Sequence, residues 1–365
     1  MALMTVEPHR PEVFSPSRET SCATGSAGPS RMVYGALDLG TNNCRLLIAR
    51  PSHDGFKIVD SFSRIVRLGE GLALTGRLCD GAIDRTLGAL TVCRDKLQAR
   101  GVRRMHLVAT EACRAAANGP DFITRVASEI GLDLEVVDRE TEAALAASGC
   151  AALADGQAEG VLLFDIGGGS SELVWLDGAR ARVARDENTI KNRIRSWTSL
   201  PLGVVTLADR FGGHDVTAER FEAMVTFVAD AMSEFVDAAR NNGRCPRFHL
   251  LGTSGTVTTV AGVYLGLDRY DRRRVDGLWM SNAEVTTAMS HLRAMPFESR
   301  AAHGCIGPDR ADLVLAGCAI LEAIRRAFPC ERLRIADRGL REGILMKMMQ
   351  KDKAWAQLPG ARSGW

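Results

Sequence analysis

Asp165-Ile166-Gly167-Gly168-Gly169-Ser170-Ser171-Glu172-Leu173-Val174 repeats a theme already stated by Asp38-Leu39-Gly40-Thr41-Asn42-Asn43-Cys44-Arg45-Leu46-Leu47. Each stretch follows a short apolar strand, Val33–Asp38 or Val161–Asp165. Each passes through aspartate, an aliphatic residue and glycine into a small polar turn, and then resumes as a strand at Cys44–Ala49 or Glu172–Leu176. Strand, tight turn and strand is a hairpin signal. Its return 127 residues later (165 less 38) is a repeat at domain spacing, and predicts two similar domains facing each other across a cleft.

The surrounding pattern agrees. Asp80–Ala99 places Ile83, Leu87, Leu90 and Leu97 at helical spacing. His106–Ala109 and Leu134–Val137 read as strands, and Asp121–Ile130 as a capped helix. In the second half, a helix is expected from Thr217, a good N-cap, to about Arg240, closed by Gly243. The strand Phe248–Leu251 follows, and then a Gly-Thr-Ser-Gly-Thr turn opens an Ala/Val helix. Strands alternating with helices give an α/β fold. The expected limits are a disordered leader over 1–31, one α/β domain over 32–155 and a second over 156–338. Residues 339–365 should form a helix that packs back on the first domain, and then a tail.

Composition narrows the function. The chain has 46% hydrophobic and 25% charged residues, the balance of a soluble globular protein, and no apolar run long enough for a membrane span. A net charge of +2 gives no global attraction to nucleic acid or lipid, so an anionic ligand needs local groups. The ten cysteines form no CxxC pair and suit small core positions in a reducing, cytoplasmic setting. Arg180–Arg195 holds six basic and two acidic residues and is expected as a solvated loop, with a basic rim for a polyanion as the alternative. His214-Asp215 has no metal-ligand spacing around it.

The turns carry the chemistry. A glycine-rich bend after a strand presents backbone N–H groups unobstructed, and neighbouring hydroxyls add donors, which suits phosphate oxygens. The candidate binding residues are Gly40, Thr41, Asn42 and Asn43 in the first bend and Gly167, Gly168, Gly169, Ser170 and Ser171 in the second. Gly252, Thr253, Ser254, Gly255 and Thr256 form a third bend at a helix N-terminus. Asp38 and Asp165 would point into the cleft, where two carboxylates repel phosphate unless a cation intervenes. This implies Mg²⁺ on Asp165 and Glu172, with Asp38 as a further ligand. Alternatively, either aspartate caps its turn.

These stretches resemble the exopolyphosphatase / guanosine pentaphosphate phosphohydrolase family, within the sugar kinase–actin-like ATPase superfamily. Thr110–Arg114, Glu140–Leu145, Leu202–Leu207, Gly307–Leu321 with its Asp309-Arg-Ala-Asp, and Asp337–Gly343 also match. The resemblance runs from about residue 32 to 350 and implies two ribonuclease H-like domains with a cleft between them. It implies that Glu142, in Arg139-Glu-Thr-Glu-Ala-Ala-Leu, activates the attacking water, and that Arg114 contacts substrate phosphate; Asp38, in the first bend, is a candidate phosphate-site residue as well as a metal ligand. From the residues alone, Glu142 is a first-turn helix charge whose ionised form the helix N-terminus favours, and Arg114 a surface residue.

The implied activity is Mg²⁺-dependent release of orthophosphate from the end of inorganic polyphosphate, or of the 5′-terminal phosphate of guanosine pentaphosphate. A small-molecule kinase and a non-hydrolytic guanosine polyphosphate sensor are the rivals. Asn43, Cys44 and Ala144 depart from the family pattern, and the helical HD-like domain of larger members is not in this sequence. Arg64, Arg67, Arg272, Arg273, Arg274 and Arg341 are candidates for a basic channel, and a homodimer is the expected assembly.

Overall fold

The computed structural model describes residues 32–178, 190, 192–241 and 247–358. The leader, most of the basic stretch 180–195 and Gly243 lie outside the described residues.

The first sheet contains β1 (Tyr34–Leu39), β2 (Asn43–Ser52), β3 (Gly55–Ile65), β4 (Arg104–Ala109) and β5 (Glu135–Val136), in the order β3-β2-β1-β4-β5. The second contains β6 (Gly160–Ile166), β7 (Ser171–Asp177), β8 (Ile194–Leu200), β9 (Phe248–Thr253), β10 (Trp279–Ser281) and β11 (Arg332–Ala336), in the order β10-β11-β9-β6-β7-β8. Read from β8 inward, the second sheet repeats the first and adds β10 at its far edge. In both, an antiparallel three-strand meander joins further strands through parallel pairing. The duplicated motif is therefore a duplicated topology, as expected for two ribonuclease H-like domains.

β1 and β6 are central strands and are buried along almost their whole length. Successive side chains alternate between the faces of a strand. Leu37 and Leu39 point into the core beneath the helices Asp80–Ala99 and Gly119–Ile130, while Tyr34 and Ala36 meet the helix Leu340–Lys351 on the other face. Asp38 shares the parity of Tyr34 and Ala36. In β6, Val161 and Leu163 face the helix Arg139–Cys150 through Ala143, Ala147 and Cys150, and Asp165 shares their parity. Alternation alone therefore aims both aspartates at the layer between the sheets.

Two helices fill that layer, Arg139–Cys150 and Leu340–Lys351, and they cross through glycine. A Cβ on Gly149 would stand 2.0 Å from the Gly339 carbonyl oxygen, and one on Gly343 2.0 Å from that of Leu145. The C-terminal helix thus returns to the first sheet, where Leu340, Ile344, Leu345 and Met349 join its core.

Two expectations need correction. The helix from Thr217 is two helices, Ala218–Ala231 and Ser233–Asn241, separated at Met232. Met232 is buried in the core there, and its φ of −99° and ψ of 4° leave helical geometry, so tertiary packing overrides local continuity. Thr217 does cap the first, accepting from the Arg220 amide at 3.2 Å. The end of the basic stretch is not a solvated loop. Arg193 is buried and donates through Nε to the Asp177 carbonyl at 2.9 Å, and Ile194 opens β8.

Gly343→Val should destabilise the protein by about 1–3 kcal/mol, because backbone occupies the space a side chain needs. Gly88→Ala, in the open face of Asp80–Ala99, should instead stabilise it by about 0.5–1 kcal/mol. Urea denaturation of the two variants measures both.

Candidate active site

The two bends have the same internal closure. The Gly40 amide donates to the Asn43 carbonyl at 2.9 Å, and the Gly167 amide donates to the Ser170 carbonyl at 2.9 Å. In both, a later segment takes up the carbonyl side. Val66 and Arg67 amides donate to Asn42 O (2.9 and 3.1 Å), and Gly69 N donates to Thr41 O at 2.9 Å. Val204 and Val205 amides donate to Gly167 O and Gly168 O at 2.9 and 2.8 Å. Holding the carbonyls in this way favours presentation of the opposite, N–H side to an anion.

The bends touch. A Cβ on Gly169 would lie 2.5 Å from Thr41 Oγ1, and one on Gly168 3.0 Å from the Asn42 amide nitrogen. They border one cavity of about 130 Å³ together with Ser254, Gly255 and Thr256 of the third bend. Ser254 adopts φ 127°, a region non-glycine residues rarely enter, and its Oγ accepts from the Thr256 amide at 3.1 Å.

Four carboxyl groups face this cavity: Asp38, Glu142, Asp165 and Glu172. The β6–β7 register sets Asp165 directly opposite Glu172, so their side chains share a face. Burial raises all four acids. Asp165 is pushed up to about 6, with Asp38 adding to the effect of burial and Arg45 opposing it. Glu172 rises to about 7 through burial and the nearby Asp165, despite a hydrogen bond of 2.8 Å from Ser199 Oγ. Asp38 is raised by burial against the pull of Arg45 and Arg341. Glu142 stands well above the usual glutamate range because of burial and Glu172. The helix N-terminus expected to keep Glu142 ionised is present, with Asp138 capping Thr141 N at 2.7 Å, but desolvation and like charge outweigh it.

Glu142 is held from behind. Arg114 Nη2 donates to Glu142 Oε2 at 3.1 Å, its Nη1 donates to the Val137 carbonyl at 2.6 Å, and its Nε donates to buried Glu111 at 3.0 Å. Arg139 Nη2 donates to the other oxygen of Glu111 at 2.9 Å. Arg114 is not among the residues that border the cavity; its guanidinium braces Glu142, which does.

The candidate residues Asp38, Gly40, Thr41, Asn42, Asn43, Glu142, Asp165, Gly167, Gly168, Gly169, Ser170, Glu172, Ser254, Gly255 and Thr256 all border the cavity. Ser171, Gly252 and Thr253 do not. Ser171 Oγ donates to Leu202 O at 2.7 Å, Gly252 leaves room for the Phe164 ring, and Thr253 Oγ1 donates to Arg338 O at 2.7 Å.

Sequence reasoning did not select Arg45, Thr110, Thr259 and Arg310, which also line the cavity. Arg45 had a signal available, since hairpin register puts it opposite Asp38. Of the six candidate channel arginines, Arg272 and Arg341 meet beside a second cavity of about 720 Å³, with Arg45 and Arg310, and that cavity shares Asp38 and Asp165 with the first. Arg67 pairs with Asp312 instead, and Arg64, Arg273 and Arg274 border neither cavity.

The all-oxygen donor set of Asp165 and Glu172 fits a hard divalent cation. Among the described residues no group of three or more His, Cys, Asp or Glu side chains stands in ligating arrangement. Mg²⁺ commonly takes one or two carboxylates and fills its shell with phosphate oxygens and water, so this pair is compatible with it.

Two topologically equivalent α/β domains, with glycine-rich bends meeting in the cleft, define the actin-like two-domain class. The profile of the Ppx/GppA phosphatase family matches residues 47–352, and the chain belongs to that family. It is 27% identical over 328 residues to the guanosine-5′-triphosphate,3′-diphosphate pyrophosphatase of Photobacterium profundum, covering 88% of this chain and 60% of that relative's length. The Ppx/GppA family member of Aquifex aeolicus superposes with a TM-score of 0.70 at 29% identity, covering 88% of this chain and 98% of its own. An exopolyphosphatase from Cytophaga hutchinsonii superposes at 0.77 and 26% identity, covering 88% and 98% respectively.

Because Asp165 and Glu172 titrate higher in the folded protein than their ordinary values of 3.8 and 4.5, the fold retains protons that the unfolded chain has lost. That stabilisation is complete below those ordinary values and is lost as pH rises through about 6 and about 7. In chelator, Tm should therefore fall across this interval. Mg²⁺ should raise Tm more at about pH 8 than at about pH 5; equal shifts at both pH values would remove these carboxylates from cation binding.

Proposed function

We propose that this chain hydrolyses the terminal phosphoryl group of inorganic polyphosphate, releasing orthophosphate and a chain one unit shorter. The observation that carries the reading is the position of Glu142, whose carboxylate borders the same small cavity as both glycine-rich bends. The bends' N–H groups and hydroxyls would hold the terminal phosphate, and Arg45 and Arg310 would offset its charge. Glu142, oriented by Arg114, would align water with the scissile bond and accept its proton. A carboxylate whose pKa is raised by burial is a stronger base, once ionised, than an exposed glutamate. Asp165 and Glu172 would hold Mg²⁺, which supplies charge neutralisation for the phosphates when bound.

Guanosine pentaphosphate is the second reading, with removal of its 5′-terminal phosphate. The function named for the Photobacterium relative supports it, and so does the adjoining cavity of about 720 Å³, which has room for more than a phosphoryl group. A cytoplasmic location belongs to this proposal and is supported by the eight described cysteines, all unpaired. Among the described residues no helix is long and apolar enough to cross a membrane.

Glu142→Gln should lower kcat by roughly 10²–10⁴-fold while retaining polyphosphate binding. Orthophosphate release from each substrate, with binding of labelled polyphosphate to the variant, checks this; undiminished turnover would exclude Glu142 as the base. The ratio of kcat/KM on polyphosphate to that on guanosine pentaphosphate decides between the two substrates.

A further inference from the structure

Arg67 follows β3 in the first domain, and Asp309-Arg310-Ala311-Asp312 precedes the helix Val314–Ala327 in the second. The two segments join across the cleft. Arg67 Nη1 and Nη2 donate to the two carboxylate oxygens of Asp312 at 2.9 Å each, and Nη2 also donates to the Asp309 carbonyl at 3.0 Å. This is a bidentate fork, whose planar geometry sets direction as well as distance. Arg67 makes it from φ 48°, a left-handed conformation uncommon outside glycine and asparagine. A strained backbone at a non-glycine residue persists where its surroundings over-determine it.

Both ends of the pair are anchored to the reactive cavity. The Arg67 amide donates to the Asn42 carbonyl, so the residue that reaches across the cleft also ties down the first bend. On the other side, Arg310 lies between Asp309 and Asp312 and borders the cavity, close to Gly255 of the third bend. Asp312 has support of its own: its backbone packs against Gly213, where a Cβ would meet the Asp312 carbonyl oxygen at 1.9 Å, and the buried Arg300 guanidinium lies within its field.

We propose that Arg67 and Asp312 are a positioning pair that sets the first bend and Arg310 in register across the cleft, so that the bends close on one phosphoryl group. The pair touches no substrate and acts through Asn42 and Arg310. With side chains 30% and 31% exposed, it is a weak source of global stability, and its effect falls on alignment. A misplacement of about 1 Å in a reacting site is enough to cost as much as 10²-fold in rate.

The inference rests on the cleft between the bends being the reactive site, and the test separates the two. Asp312→Asn keeps the side-chain shape and removes the charge; Arg67→Ala removes the other partner; Arg67→Asp with Asp312→Arg exchanges them. Each single variant should lose about tenfold in kcat/KM with Tm nearly unchanged, and the exchanged pair should recover most of that loss. Hydrogen exchange of the amides of residues 40–43 should quicken in the single variants and slow again in the exchanged pair. Unchanged exchange in both single variants, or no recovery in the exchanged pair, overturns the proposal. If the unmodified protein releases phosphate from neither substrate, the functional reading fails, and the exchange measurements alone decide the pair.

Discussion

Thr41 and Asn42 rest on Gly168 and Gly169 with no room for a Cβ between them, and the remaining features of the cleft follow from that contact. Two bends that each present backbone N–H groups can share one small anion only if their backbones approach closely, and glycine is the residue that permits this. Approach alone would leave the bends free to rotate. The amides of Val66, Arg67 and Gly69 on one side, and of Val204 and Val205 on the other, tie down their carbonyls. Gly203 packs equally tightly beneath Gly168, so the second bend is fixed from below as well.

The electrostatics of the cavity follow from the same closeness. Asp38 and Asp165 end equivalent strands of equivalent sheets, so duplication places two acids in one desolvated space, and Glu172 and Glu142 bring two more. Asp38 raises the proton affinity of Asp165 and Glu142, Asp165 that of Glu172, and Glu172 that of Glu142, while the nearby Arg45 and Arg341 offset this only in part. Such a cluster is poorly suited to a bare anion and well suited to an anion arriving with a divalent cation. Glu111 plays a quieter part: buried between Arg114 and Arg139, it fixes the guanidinium that in turn orients Glu142.

Particular residues show how far local pattern reaches. The helix Asp80–Ala99 and the hairpins around both bends could be read directly, because their signals are periodicity and turn chemistry, which are local. Thr217 was legible as a cap, but the interruption at Met232 was not, since it reflects burial of that side chain against distant elements. The brace of Arg114 on Glu142 was not legible, because it depends on Glu111 and the Val137 carbonyl holding the guanidinium. Gly252 looked like part of a phosphate bend and serves to admit the Phe164 ring.

By itself the sequence determined that the protein has two copies of one α/β unit, each with an aspartate at a strand end and a glycine-rich bend after it. It also determined the family, through the motifs around those bends and around Glu142. Only the tertiary structure decided which residues meet: Thr110 and Arg310 at the cavity, Arg67 with Asp312 across it, and Arg114 against Glu142 and Glu111. The reason is physical. Strand parity and turn type are set within a few residues, whereas convergence depends on two helices crossing at Gly149 and Gly343, residues nearly 200 positions apart whose contact leaves no mark in either local pattern.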